Sequence, residues 1–170
     1  EGAGSLYCLD PGYTLRCVLR NLTIPNGIVW SPDGSILYYT DTLTRVIDAY
    51  EYDKITGGFM GKRAAIRIPP GHGYPDGMTM DEEGMLWVGL SGGWRVCRYD
   101  PVSGRLLQTI EMPAEQTTSC AFGGPGMDDL YITTARYALD ERPLVSQPKA
   151  GGLFRCKPGI RGIPAYSFAG

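Results

Sequence analysis

Residues 26–42 read NGIVWSPDGSILYYTDT, residues 76–90 read DGMTMDEEGMLWVGL, and residues 118–135 read TSCAFGGPGMDDLYITTA. Each begins with a short polar residue ahead of an apolar run and turns at a glycine eight positions on: Gly34, Gly84 and Gly126. Each then continues into a second run, Ile36–Thr40, Leu86–Leu90 or Leu130–Thr134. Short β-branched and aromatic runs closed by Gly, Pro, Asn and Asp are strand–turn–strand units. A third run follows in every case (Val46–Tyr52, Arg95–Tyr99, Gly152–Cys156), and a fourth closes the unit (Ala64–Ile68, Leu106–Ile110, Ala165–Phe168). The starting residues Asn26, Asp76 and Thr118 are spaced 50 and then 42 residues apart.

Four strands every ~40–50 residues mark the blades of a propeller. The chain is therefore read as an all-β protein, a β-propeller of four-stranded antiparallel blades forming one domain. Residues 1–25 end one blade, with strands Ser5–Leu9 and Leu15–Leu19, and 26–70, 71–113 and 114–170 form successive blades. That makes about three and a half blades, short of the four to eight of a typical closed ring. Two open edges are thus expected, and open edges invite pairing with a second chain. The irregular piece Tyr137–Ala150 reads as a surface excursion between the second and third strands of the last blade.

With 170 residues, 43% of them hydrophobic and 20% charged, the chain can bury a proper core and shows no break in composition. A net charge of −2 argues against nucleic acid or an anionic membrane as partner. No apolar run approaches the ~20 residues of a membrane span, and the start Glu-Gly-Ala-Gly-Ser lacks a signal-peptide pattern. Five cysteines with apolar neighbours and no CxxC pair read as buried free thiols in a reducing cytoplasm. One histidine, His72, leaves most serine or cysteine triads without a base, and no glycine-rich phosphate loop is present.

In a propeller the innermost strands line the channel, and their starting residues crowd one mouth. Asn26, Asp76 and Thr118 bring an amide carbonyl, a carboxylate and a hydroxyl there. Asn and Asp are poor strand residues, and converging oxygens suit a hard cation. The alternative is that they only shape the loop ahead of each strand, with Gly27 and Gly77 giving backbone freedom. The Pro-Asp-Gly at 32–34 follows a strand and needs only a hairpin turn, whereas that at 75–77 precedes one. His72 could overhang the mouth, Arg136 and Tyr137 could reach a polar ligand, and Trp30, Trp87 and Trp94 read as blade packing.

The stretches IPNGIVWSPDGSILYYTDT, IDAYEYD, YPDGMTMDEEGMLWVGL, RVCRYDPVSGRLLQTIEMP, TTSCAFGG and AGGLFRCKPGIRGIPAYSFAG occur in order. From about Gly4 to the last residue the chain resembles the senescence-marker-protein/gluconolactonase (regucalcin-like) family. The resemblance implies a six-bladed propeller with one divalent metal ion in its channel (Ca, Zn, Mn or Mg) and hydrolysis of sugar lactones such as gluconolactone. The family's metal-binding Asn and Asp match Asn26 and Asp76, and the matched Asp is also the candidate general base. The third metal ligand, a Glu, and the family's first two and a half blades have no counterpart here, so the chain corresponds to a C-terminal half. Glu1 lies near the place of a substrate-contacting Glu, but loop length varies there and substrate-binding residues stay unassigned. Three expectations follow: a lactonase half that needs the remaining blades, a non-catalytic cation-binding module, or a homodimer closing two arcs.

Overall fold

Leu37 and Tyr39 are buried on one face of the strand Ile36–Asp41, and Tyr38 is buried on the other. Leu86, Val88 and Leu90 likewise oppose Trp87 in the strand Leu86–Ser91. A strand that is apolar on both faces has to lie between two sheets, because neither face can be left to water. The computed structural model, which describes residues 1–137, 139, 145–165 and 167, shows these sheets as consecutive blades.

Strands β1 (Gly4–Leu9) and β2 (Leu15–Leu22) form a two-stranded sheet. A four-stranded sheet follows: β3 (Pro25–Trp30), β4 (Ile36–Asp41), β5 (Val46–Tyr52) and β6 (Phe59–Arg67). The next contains β7 (Tyr74–Met80), β8 (Leu86–Ser91), β9 (Arg95–Tyr99) and β10 (Leu106–Glu111). The last holds β11 (Thr117–Gly123), β12 (Asp129–Thr134) and β13 (Leu153–Cys156). All neighbours are antiparallel and consecutive in sequence, as in propeller blades. Three apolar layers separate the sheets. Leu37, Tyr39 and Tyr50 face Leu6, Leu19 and Leu22 of β1–β2. Tyr38, Ile47 and Ile66 meet Met78, Leu86 and Val88. Trp87 and Val96 meet Cys120, Leu130 and Ile132.

The Pro-Asp-Gly at 32–34 makes the expected hairpin, with the Gly34 N–H donating to Ser31 O at 2.8 Å and the Ser31 hydroxyl to Asp33 at 2.6 Å. The expected final strand differs. Tyr166 and Phe168 of Ala165–Phe168 lie outside the described residues, and Ala165 and Ser167 belong to no strand. The segment just before them binds across blades instead: Gly162 N–H donates to Met127 O, Glu82 N–H to Arg161 O, and Ile163 packs into the middle layer. Part of the Tyr137–Ala150 excursion also falls outside the described residues; inside them, Gln147 is buried and its side-chain oxygen accepts from Glu115 N–H at 2.7 Å.

All five cysteines are free, but only Cys97 and Cys120 are buried. Burial pushes the Cys97 thiol up and the Cys120 thiol to about 12, so neither is a nucleophile at neutral pH. Trp87 is wholly buried edge-on to Phe122, and Trp30 stacks edge-on to Tyr52. Trp94 departs from the packing expectation: it is 38% exposed at the β8–β9 turn. Among the described residues no helix is long and apolar enough to cross a membrane.

One buried carboxylate staples the central blade. Asp81, fully inaccessible at the exit of β7, accepts from the Glu83 and Met85 N–H groups, from Trp87 Nε1–H at 2.8 Å and from Arg98 Nε–H at 2.7 Å. Arg98, itself well buried, also binds Glu83. Replacing Asp81 by Ala would strand a guanidinium and an indole N–H inside the protein. The expected loss is about 3–5 kcal/mol, read as a fall in the urea midpoint on chemical denaturation.

Candidate functional site

The three strand entrances share a deformation. The pairing register slips between Pro25 and Ile28 in β3, between Pro75 and Met78 in β7, and between Thr117 and Ser119 in β11. Such a bulge swings a side chain out of the normal alternation. It falls at Asn26, at Asp76 and at Thr118.

The neighbouring glycines act differently from the expectation of backbone freedom. Neither Gly27 nor Gly77 has a positive φ. A Cβ on Gly27 would run into the Asp76 carbonyl and lie 2.8 Å from the Met78 Cγ; on Gly77 it would lie 2.9 Å from the Cα of Ser119. Each glycine is there because the inner strand of one blade touches the next. This contact sets Asn26 beside Asp76 and the Asp76–Gly77 pair against the strand that carries Thr118. The Asn26 end is fixed from behind by the buried Asp41, whose carboxylate accepts from Thr23 N–H at 2.7 Å and Ile24 N–H at 2.8 Å.

Asp76 is half-buried. Burial raises its pKa above the ordinary 3.8, while the Asn26 amide and the Gly77 N–H oppose the rise by binding the charged form. No cation contributes. Two more deeply buried carboxylates have a cationic partner, Asp81 in Arg98 and Asp48 in Lys62 at 2.8 Å, and the buried Asp41 is met by two backbone N–H groups. The Thr118 hydroxyl is shared with Thr133 at 2.9 Å. Asn26 and Asp76 therefore offer two oxygen donors with unspent capacity. Among the described residues no cluster of three His, Cys, Asp or Glu stands ready for a metal, so any further ligands come from beyond this pair.

His72 lies exposed in the loop leading to β7, its N–H donating to Pro69 O. Arg136 and Tyr137 are exposed after β12. Glu1 is exposed and precedes the β1 start, whose Gly2 N–H donates to the Thr23 hydroxyl at the same end of the sheets. An additional pair stands here that no spacing in the sequence signals. The Arg45 guanidinium carbon lies 3.7 Å from the centroid of the Tyr74 ring, and Arg45 Nη1–H donates to Gly73 O at 2.6 Å.

Residues 1–136 match the family described as the SMP-30/Gluconolactonase/LRE-like region. Over 168 residues the chain is 43% identical to regucalcin of Macaca fascicularis, covering 98% of this chain and 56% of that protein. Among solved structures it is similar to a calcium-binding protein, regucalcin, of Agrobacterium tumefaciens, with 32% identity, TM-score 0.90, and coverage of 98% of this chain and 57% of that one. It is also similar to a gluconolactonase of Xanthomonas campestris, with 32% identity, TM-score 0.64, and coverage of 76% and 41%. The chain thus spans little more than half the length of the curated relative it matches.

The raised pKa of Asp76 makes a stability prediction. The folded state holds this proton more tightly than the unfolded chain. The resulting stabilisation is complete below the unfolded value of 3.8 and is lost as pH rises through the raised folded value. At neutral pH the ionised carboxylate is therefore a burden on the metal-free protein. Asp76→Asn is expected to raise its melting temperature there, with the gain fading in acid. Added divalent cation is expected to stabilise the native protein by mass action and not the variant, as scanning calorimetry would show.

Proposed function

The chain belongs to the SMP-30/gluconolactonase family, and from that membership we propose that the Asn26–Asp76 mouth binds a divalent cation and serves the hydrolysis of a sugar lactone within a closed ring of blades. The observation that carries this reading is Asp76, a half-buried carboxylate at the entrance of β7 with an amide partner and no cationic one. The relatives add support, one being a calcium-binding protein and another a gluconolactonase.

Asn26 and Asp76 would give the cation two oxygen ligands, a donor set that suits calcium, magnesium, manganese or zinc. A bound cation would polarise the lactone carbonyl and offset the charge of Asp76. The protein's own groups do the rest. The Asp76 carboxylate takes a proton from the water that attacks the carbonyl carbon. The same group then returns it to the ring oxygen as the C–O bond breaks, leaving a hydroxy acid. Asn26 holds the carboxylate in place through its amide. Closing the ring takes further blades or a second copy of the chain, and the free edge of β1 in its two-stranded sheet is where such pairing would begin. Five free thiols fit a reducing compartment, and we place the protein in the cytoplasm.

A second reading, a cation-binding module without catalysis, is favoured by the small number of donors. Assay of lactone hydrolysis with each metal separates the two. The lactonase reading expects metal-dependent turnover that falls ~100-fold or more on Asp76→Asn. Cation binding by calorimetry with no turnover under any metal would leave the second reading standing for this chain. A strictly monomeric mass by light scattering would rule out closure by a second copy.

A further inference from the structure

Arg45 caps the short 3-10 turn Thr42–Thr44 in a left-handed conformation, φ 56°, immediately before β5. The guanidinium is held from two directions. One face lies on the Tyr74 ring at 3.7 Å, and Nη1–H is spent on the Gly73 carbonyl at 2.6 Å. Among the described residues no carboxylate lies within ion-pair distance of it, and Nε–H and Nη2–H have no acceptor. Those two parallel donors form the edge with which arginine grips a carboxylate or a phosphate in bidentate fashion. An arginine that only stapled one blade to the next would be served by the stacking and the single hydrogen bond. This one is immobilised with its recognition edge unused, so little ordering entropy remains to be lost on binding.

Both anchors belong to the chain that leads to Asp76. Gly73 and Tyr74 stand three and two residues before it. At ~3.3 Å per residue of extended chain, the Gly73 and Tyr74 anchor points stand at most ~7–10 Å along the backbone from Asp76. A ligand on the order of a six-carbon chain bound at Asp76 would have its far end in the neighbourhood of these anchors. We infer that Arg45 docks an anionic group, carboxylate or phosphate, on the end of the substrate remote from the lactone carbonyl, so that the site selects acidic over neutral sugar lactones. The identity of the ligand rests on the lactone reading above, while the docking of an anion beside the mouth rests on Arg45 alone.

Titration calorimetry, with magnesium present, would compare three non-reacting open-chain acids: a sugar mono-acid, the corresponding diacid with a terminal carboxylate, and the mono-acid with a terminal phosphate. One or both of the acids with an anionic group at each end are expected to bind the native protein ~10-fold or more tightly than the mono-acid, and the preferred one names the anion. Arg45→Gln is expected to bring the affinities to within ~2-fold, and Arg45→Lys, which keeps the charge but not the fork, to fall between. Equal affinities in the native protein, no binding of any acid, or a preference that survives Arg45→Gln would overturn the inference. Melting temperatures show whether the variants fold; should Arg45→Gln not fold, a full preference retained in folded Arg45→Lys overturns bidentate docking. Lactone turnover measured alongside keeps the two readings apart. Anion preference without turnover leaves the docking and removes the hydrolase, and turnover without preference does the reverse.

Discussion

The contact on which the arrangement turns is glycine backbone against the neighbouring inner strand. Gly27 meets the carbonyl of Asp76, and Gly77 meets Ser119. Side chains at these two places would force the inner strands apart and open the wedge between blades. With glycine there, the inner strands converge toward one end, the apolar layers on either side of β4 and β8 close, and the register slips of β3, β7 and β11 line up. The blade interface and the candidate site are thus one construction. Asn26 and Asp76 are neighbours because the glycines that follow them let their strands touch.

The strand Tyr74–Met80 and the residue after it contain both solutions to a carboxylate away from water. Asp81, at the exit, is fully inaccessible and is met by two backbone N–H groups, an indole N–H and a guanidinium. Everything it can accept is supplied from within the fold, and removing it would harm the structure. Asp76, at the entrance, is less buried yet less satisfied, with an amide and one N–H against it and no positive charge. A protein interior does not leave such a group uncompensated without cost. The missing charge is what a divalent cation would bring.

Asn26 and Asp76 lie at the entrances of neighbouring strands, β3 and β7. Family membership gives the fold and the expectation of lactone or cation chemistry, while the chain spans 56% of the curated relative's length. The chemistry proposed at Asp76 would depend on what covers it: a half-buried carboxylate gains from low dielectric only when an opposite wall excludes water. Arg45 on Tyr74 stands beside the entrance of β7, supplied by the turn of one blade and anchored on the strand entrance of the next. It shows how the seam between blades assembles polar groups from segments distant in sequence.

The repeat alone determined the fold class and most strands. Val46–Tyr52 and Arg95–Tyr99 agree residue for residue with β5 and β9, because alternation and turn chemistry are local properties. Asn26 and Asp76 were legible for the same reason, as equivalent positions of one repeat. Other features depended on neighbours brought together only by folding. The role of Gly27 and Gly77 as contact points needed the next blade in place, since their φ angles are ordinary. The division of labour between Asp76 and Asp81 needed Arg98 and Trp87, which arrive from other strands. The Arg45–Tyr74 stack joins residues of different blades. Local periodicity decides which residues form a strand. Only the packed tertiary structure decides which charges are answered from within the fold and which are not.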